Sequence, residues 1–211
     1  MLRNNGLFGG FLTNISWNSC RVFGWVCSGF CSELKHISEE ADKMYRKAKN
    51  KHKYEVLPNL ERLGGDSPDL TFYYIQVVDY NYEVAKSLLH ITRESFEYID
   101  NNHEGFSQEQ IEDLKMILDT VNGIYTEFLT MLDTKDYSNF DELMKKREVL
   151  NDVYFDSTKH QIKRAKANES GTRNTILFLH IITETRTLIL QSRNLMKSQR
   201  KLAMTNEGFK V

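Results

Sequence analysis

The chain has 211 residues and a formal net charge of -1, so it is long enough to bury a sizeable core without disulfides or metals. Its 28 Lys and Arg are balanced by 29 Asp and Glu, which argues against a general polyanion binder, because a phosphate backbone is held by a clustered surplus of cations. Nucleic acid is therefore not expected as a partner.

All three cysteines (Cys20, Cys27, Cys31) and both tryptophans (Trp17, Trp25) lie near the start of the chain. Residues 1–32 are rich in Gly, Phe, Trp and Cys and carry only Arg3 and Arg21 as charges, whereas charges recur every few residues from Glu33 onward. The composition predicts a poorly ordered segment over 1–32 and a boundary near Ser32. Asn14, Ser16, Asn18, Ser19 and Arg21 interrupt the segment before about 18 apolar residues accumulate, which speaks against a transmembrane helix. Only fragments of a secretory signal are present. No second Cys or His pair follows Cys27 and Cys31 at zinc-finger spacing, so free thiols in a reducing cytosol are the expected state. Gly6, Gly9 and Gly10 follow no strand and precede no helix, and carry no phosphate-binding signal.

From residue 33 the apolar side chains return at spacings of three and four, the helical period. Five helices are predicted, over 33–63, 69–101, 107–133, 139–167 and 171–204. The first is richly charged, with a thin apolar line through Leu34, Ile37, Ala41, Met44 and Ala48, so 33–66 reads as a charged linker or a peripheral helix and 67–211 as the bundle proper. In the second helix Asn81 interrupts the stripe Tyr74, Val77, Val84, Leu88, Ile91, with Asp79 and Glu83 beside it. Ser107 and Gln110 open the third helix as a capping box. Its stripe runs Ile111, Leu114, Leu118, Val121, Tyr125, Phe128, Leu132, with Glu112, Asp113, Lys115 and Asp119 mostly off it. The fourth carries Glu148, Asp152 and Asp156 at i, i+4 spacing. In the fifth, Glu184 and Gln191 break the stripe Leu177, Ile181, Leu188, Leu195, and His180 lies one turn before Glu184. Short links between long helices make neighbours antiparallel. The fold class is all-α, an elongated up-and-down antiparallel bundle of about five helices.

Two polar sets are candidate sites. If the second and fifth helices face one another, Asp79, Glu83, His180 and Glu184 form either a metal site or a satisfied polar layer that fixes register. The Glu148, Asp152, Asp156 row puts carboxylates on one helix face, as a cation site or as a solvated surface. Glu109 and Asp113 suit the first turns of a helix through its dipole alone, and His90 with Glu94 suits a surface pair. Arg173 and Asn174 mark a helix start, able to meet an anion or simply capped. No nucleophile-and-base set, Walker loop or dinucleotide fingerprint appears, and the paired Glu-x-x-His motifs of a di-iron bundle are not met on two helices. An enzyme is not expected.

Four segments carry a resemblance: Tyr73-Tyr74-Ile75-Gln76-Val77-Val78-Asp79-Tyr80, Asp100-Asn101-Asn102-His103, Thr172-Arg173-Asn174-Thr175-Ile176-Leu177 and Asn194-Leu195-Met196-Lys197-Ser198-Gln199-Arg200. In order and spacing they resemble the PhoU-like cytoplasmic domain at the C-terminus of bacterial sodium/phosphate cotransporters, over about residues 33–204. The resemblance implies a regulatory domain at the inner face of the membrane that acts by protein contact. Its partner would be a transmembrane phosphate transporter domain or a phosphate-signalling protein, and a homodimer is compatible with it. It also implies that the transport path belongs to an upstream membrane block missing from this chain, which then reads as a detached or truncated tail. PhoU proteins often hold metal clusters on i, i+4 acidic pairs, so a divalent or ferric ion is the cofactor the resemblance suggests. Residues 1–32 do not resemble the family. The apolar line of the first helix, with Phe72 and Tyr73, is the expected docking surface. The alternatives are a metal-binding bundle or a coiled-coil adaptor unrelated to phosphate.

Overall fold

The computed structural model describes residues 31–63, 68–145 and 147–208, and the side chains of 32–61, 68–145 and 149–205. Helix α1 (Cys31–Asn50) passes through a π-helical turn (Lys51–Glu55) into α2 (Val56–Leu63). Then follow α3 (Pro68–Asp100), α4 (Gln108–Thr134), the short α5 (Phe140–Lys145), α6 (Arg147–Lys166) and α7 (Thr172–Gly208). The π turn has a local cause. Pro58 has no N–H to give the carbonyl of Tyr54 and its ring crowds that carbonyl, so the helix widens just before it. The expected single helix over 33–63 is thus one helical run with a widened turn.

The ends of the helices are set by local chemistry. Ser107 Oγ accepts from the Gln110 backbone N–H at 3.3 Å, and Gln110 Oε1 accepts from the Ser107 N–H at 2.9 Å, closing the capping box. Both α3 and α6 end in Schellman motifs: Asn102 and Asn168 take the left-handed conformation, with φ of 54° and 56°. The His103 and Glu169 N–H groups reach back to the carbonyls of Tyr98 and Arg164. Asparagine enters this region more readily than most residues, and its turn satisfies carbonyls the helix leaves open.

Helices α3, α4, α6 and α7 form the antiparallel up-and-down bundle. The long α3 and α7, 33 and 37 residues, extend about 50 and 55 Å and pack along one another more extensively than any other pair. Their antiparallel register is fixed by Ser198 with Gln76 and Glu184 with His90. Both helices carry small buried side chains, Ala85, Ser87, Thr92 and Ser95 on α3 and Thr185, Ser192 and Ser198 on α7. Tyr125 on α4 bonds Ser192 across the bundle. The core is continuous from Val77 through Val121 and Phe128 to Phe178 and Leu195.

Helix α1 lies antiparallel along α3, with Tyr45 against Tyr82 and Asp42 against Arg93. Leu34, Ile37 and Ala41 are fully buried and Ala48 nearly so. The thin apolar line is therefore used up inside the fold, which makes α1 a peripheral bundle helix and corrects its expected role as a free docking stripe. Among the described residues, no helix is long and apolar enough to cross a membrane.

Candidate functional site

The densest polar cluster lies at the end of the bundle where the α3–α4 and α6–α7 turns meet. Asp113 on α4 is buried and accepts from Arg164 Nη2 at 2.8 Å and pairs with His160 Nδ1 at 3.0 Å. Arg164 Nε donates to Gln161 Oε1 at 3.1 Å. Gln110, fixed by its capping role, donates to Gln161 Oε1 at 2.9 Å and to Asn174 Oδ1 at 2.6 Å. Asn174 in turn donates to the Gly105 carbonyl at 3.1 Å, and Gln161 donates to Ser170 and Thr175. The Arg164 guanidinium sits 5.4 Å from the Phe178 ring centre, and Phe106 meets the same ring edge-on. A buried ion pair is tolerated only when its remaining donors and acceptors are met, and here each side chain has partners. The network ties α4, α6 and α7 in one register.

Sequence reasoning placed Asp113 off the stripe, and the structure corrects this. The buried face of α4 runs Gln110, Asp113, Leu114, Ile117, Val121, Ile124, a rotation of the expected stripe. A signal was available: Gln110 and Asp113 extend the Leu114, Ile117, Val121 spacing backward, and Ser157, Gln161, Arg164 extend Leu150 forward at the same period on α6.

The Asp79, Glu83, His180, Glu184 set is not assembled. In the observed register Glu184 lies opposite His90, 3.5 Å away, while Asp79 bonds His52 at 2.6 Å and Glu83 pairs with Lys86. His90 thus pairs across helices rather than along its own with Glu94. His180 Nε2 is buried without a hydrogen-bond partner, as is Asn81 Oδ1. Asp152 and Asp156 are exposed, and Asp156 pairs with Lys159. The side chain of Glu148 lies outside those described. Among the described residues no group of three or more His, Cys, Asp or Glu is placed to hold a metal ion.

Around the π turn, His52 also stacks on Tyr82 at 5.1 Å. The Tyr45 hydrogen bond, helped by burial, pushes the Tyr82 phenol up to about 12, and burial lowers the Lys51 ammonium. At the N-terminal end of α3 a groove is lined by Phe72, Tyr73, Gln76, Tyr80, Lys197 and Lys201. Phe72 is exposed here as expected.

The four segments singled out in the sequence meet in pairs. His103 Nε2 lies 3.0 Å from Arg173 Nη1 at the network end, and Gln76 accepts from Ser198 at 3.0 Å beside the groove. Comparison of the chain with family models, with curated proteins and with solved structures gave no match.

Proposed function

We propose that the chain is a PhoU-like regulatory domain that binds the cytoplasmic face of a sodium-dependent phosphate transporter and modulates uptake by protein contact, with neither catalysis nor a transport path of its own. The reading is carried by the pairing of segments far apart in sequence. Asp100–His103 meets Thr172–Leu177, and Tyr73–Tyr80 meets Asn194–Arg200, so the residues that bear the resemblance gather at two places along the α3–α7 pair. The second is the aromatic and lysine-lined groove, a surface suited to an acidic loop of a partner.

The test is reconstitution. The membrane block of a bacterial sodium/phosphate cotransporter, lacking its own soluble tail, is placed in vesicles and this chain is added at the cytoplasmic side. Saturable binding with a changed rate of sodium-driven phosphate uptake is expected, and Lys197→Glu with Lys201→Glu is expected to weaken both at least tenfold. No binding and an unaltered uptake rate would sink the proposal.

A further inference from the structure

The groove at the N-terminal end of α3 holds about 280 Å³, just under the smallest common ligand sites of about 300 Å³, which limits an occupant to a compact molecule. Ser198 Oγ donates to Gln76 Oε1 at 3.0 Å, and this bond sets the order of the other groups along the groove. Helices α3 and α7 are antiparallel, so Tyr80, one turn beyond Gln76, and Asn194, one turn before Ser198, stand at the same end. Lys197 adjoins Ser198 at the middle. Lys201, three residues beyond Ser198, lies at the other end beside Tyr73. The two lysines follow one another by a single helical turn, which puts both ammonium groups on one side of α7. Both are exposed, Tyr80 and Asn194 are half-buried, and no carboxylate stands among the described lining residues.

A ligand that uses all of these groups has a flat aromatic part at one end and an anion toward the other. The Tyr80 ring offers a face on which a base can stack. The Asn194 amide sets a donor beside an acceptor, the pair that matches N7 and the 6-amino group of adenine. Lysine ammonium groups are compact point charges with three donors each, and two of them one turn apart suit a phosphate. We propose that this groove binds an adenine mononucleotide, its base against Tyr80 and Asn194 and its phosphate between Lys197 and Lys201. The binding is a property of this chain alone. Its consequence rests on the transporter reading: the phosphate takes the cations assigned there to a partner's acidic loop, so the nucleotide competes with docking.

Calorimetric titration of the full chain with AMP tests the binding, set against ribose 5-phosphate, which keeps the anion, adenosine, which keeps the base, and GMP, which shows two acceptors on the edge that Asn194 reads. Saturable one-site binding of AMP is expected, at least tenfold tighter than ribose 5-phosphate or adenosine and at least threefold tighter than GMP. Lys197→Gln with Lys201→Gln should lose at least tenfold in AMP affinity at an unchanged circular dichroism spectrum, and Asn194→Ala should erase the preference for AMP over GMP. No AMP binding, ribose 5-phosphate held as tightly as AMP, or AMP and GMP held equally by the unaltered chain overturns the proposal, whatever the variants do. These titrations contain no transporter, so a failure here leaves the uptake assay to decide the transporter reading separately.

Discussion

Arg164 and Asp113 show how much a single buried charge can decide. The side chains are 8% and 6% exposed and 2.8 Å apart, so removing the guanidinium leaves a buried carboxylate with the half-exposed His160 imidazole as its remaining side-chain partner. Arg164→Ala is expected to lower unfolding stability by about 3–5 kcal/mol, read from urea denaturation, whereas Arg164→Met combined with Asp113→Leu should recover most of the loss. A loss below about 1 kcal/mol for the single change would mean water already reaches the pair. Tyr125 acts through pH. Its hydroxyl is 2.7 Å from Ser192 Oγ in the core, and burial raises its ionisation above the ordinary 10.0. The unfolded chain releases this proton near the ordinary value while the folded chain keeps it, so the stabilisation is fully present below about pH 10 and falls as pH rises beyond it. Tyr82 shifts in the same direction but is far less buried. The urea midpoint is expected to drop above about pH 10, and Tyr125→Phe to delay that drop. An identical alkaline profile in the variant would assign the fall to other groups.

At the scale of the element, the start of α4 carries two jobs on neighbouring residues. Ser107 satisfies only the helix end, and Ser107→Ala is expected to cost about 1 kcal/mol. Gln110 closes the same box and also bridges Gln161 and Asn174 inside the bundle, so Gln110→Ala loses the cap and leaves buried amides short of partners, adding about 1–3 kcal/mol. Thermal melts of the two variants should therefore separate, and equal melting temperatures would show that the interior amides find other partners. Helix α1 illustrates the opposite economy. Its charge pattern looks like that of a solvated rod, yet five apolar positions about one helical turn apart, Leu34, Ile37, Ala41, Met44 and Ala48, are enough to seat it on α3, because a narrow stripe is all that a peripheral helix presents to one neighbour.

For the whole molecule, α3 and α7 act as the spine, each contacting several other helices along its length, while α1 leans on one side and α5 is a single six-residue helix. Amides that open only with global unfolding belong where burial is continuous on more than one side. Hydrogen exchange is expected to be slowest in the central turns of α3 and α7 and faster throughout α1 and α5. Uniform protection across α1 and α3 would instead make the peripheral helix part of the same cooperative unit.

The helical class, the five helical runs, the antiparallel order and the Ser107 cap could all be read from the chain, because each depends on periodicity or capping within a few residues of itself. The break at Asn81 and the apolar line from Leu34 to Ala48 were legible for the same reason. Only the tertiary structure decided which side chains meet. Glu184 finds His90 rather than Asp79 or Glu83, since the α3–α7 register that also pairs Gln76 with Ser198 brings residue 184 level with residue 90, and that offset is a property of two whole helices. Likewise Asp113 turns inward because Arg164 and His160 arrive from a helix about 50 residues away, and no local pattern on α4 carries that partner's position.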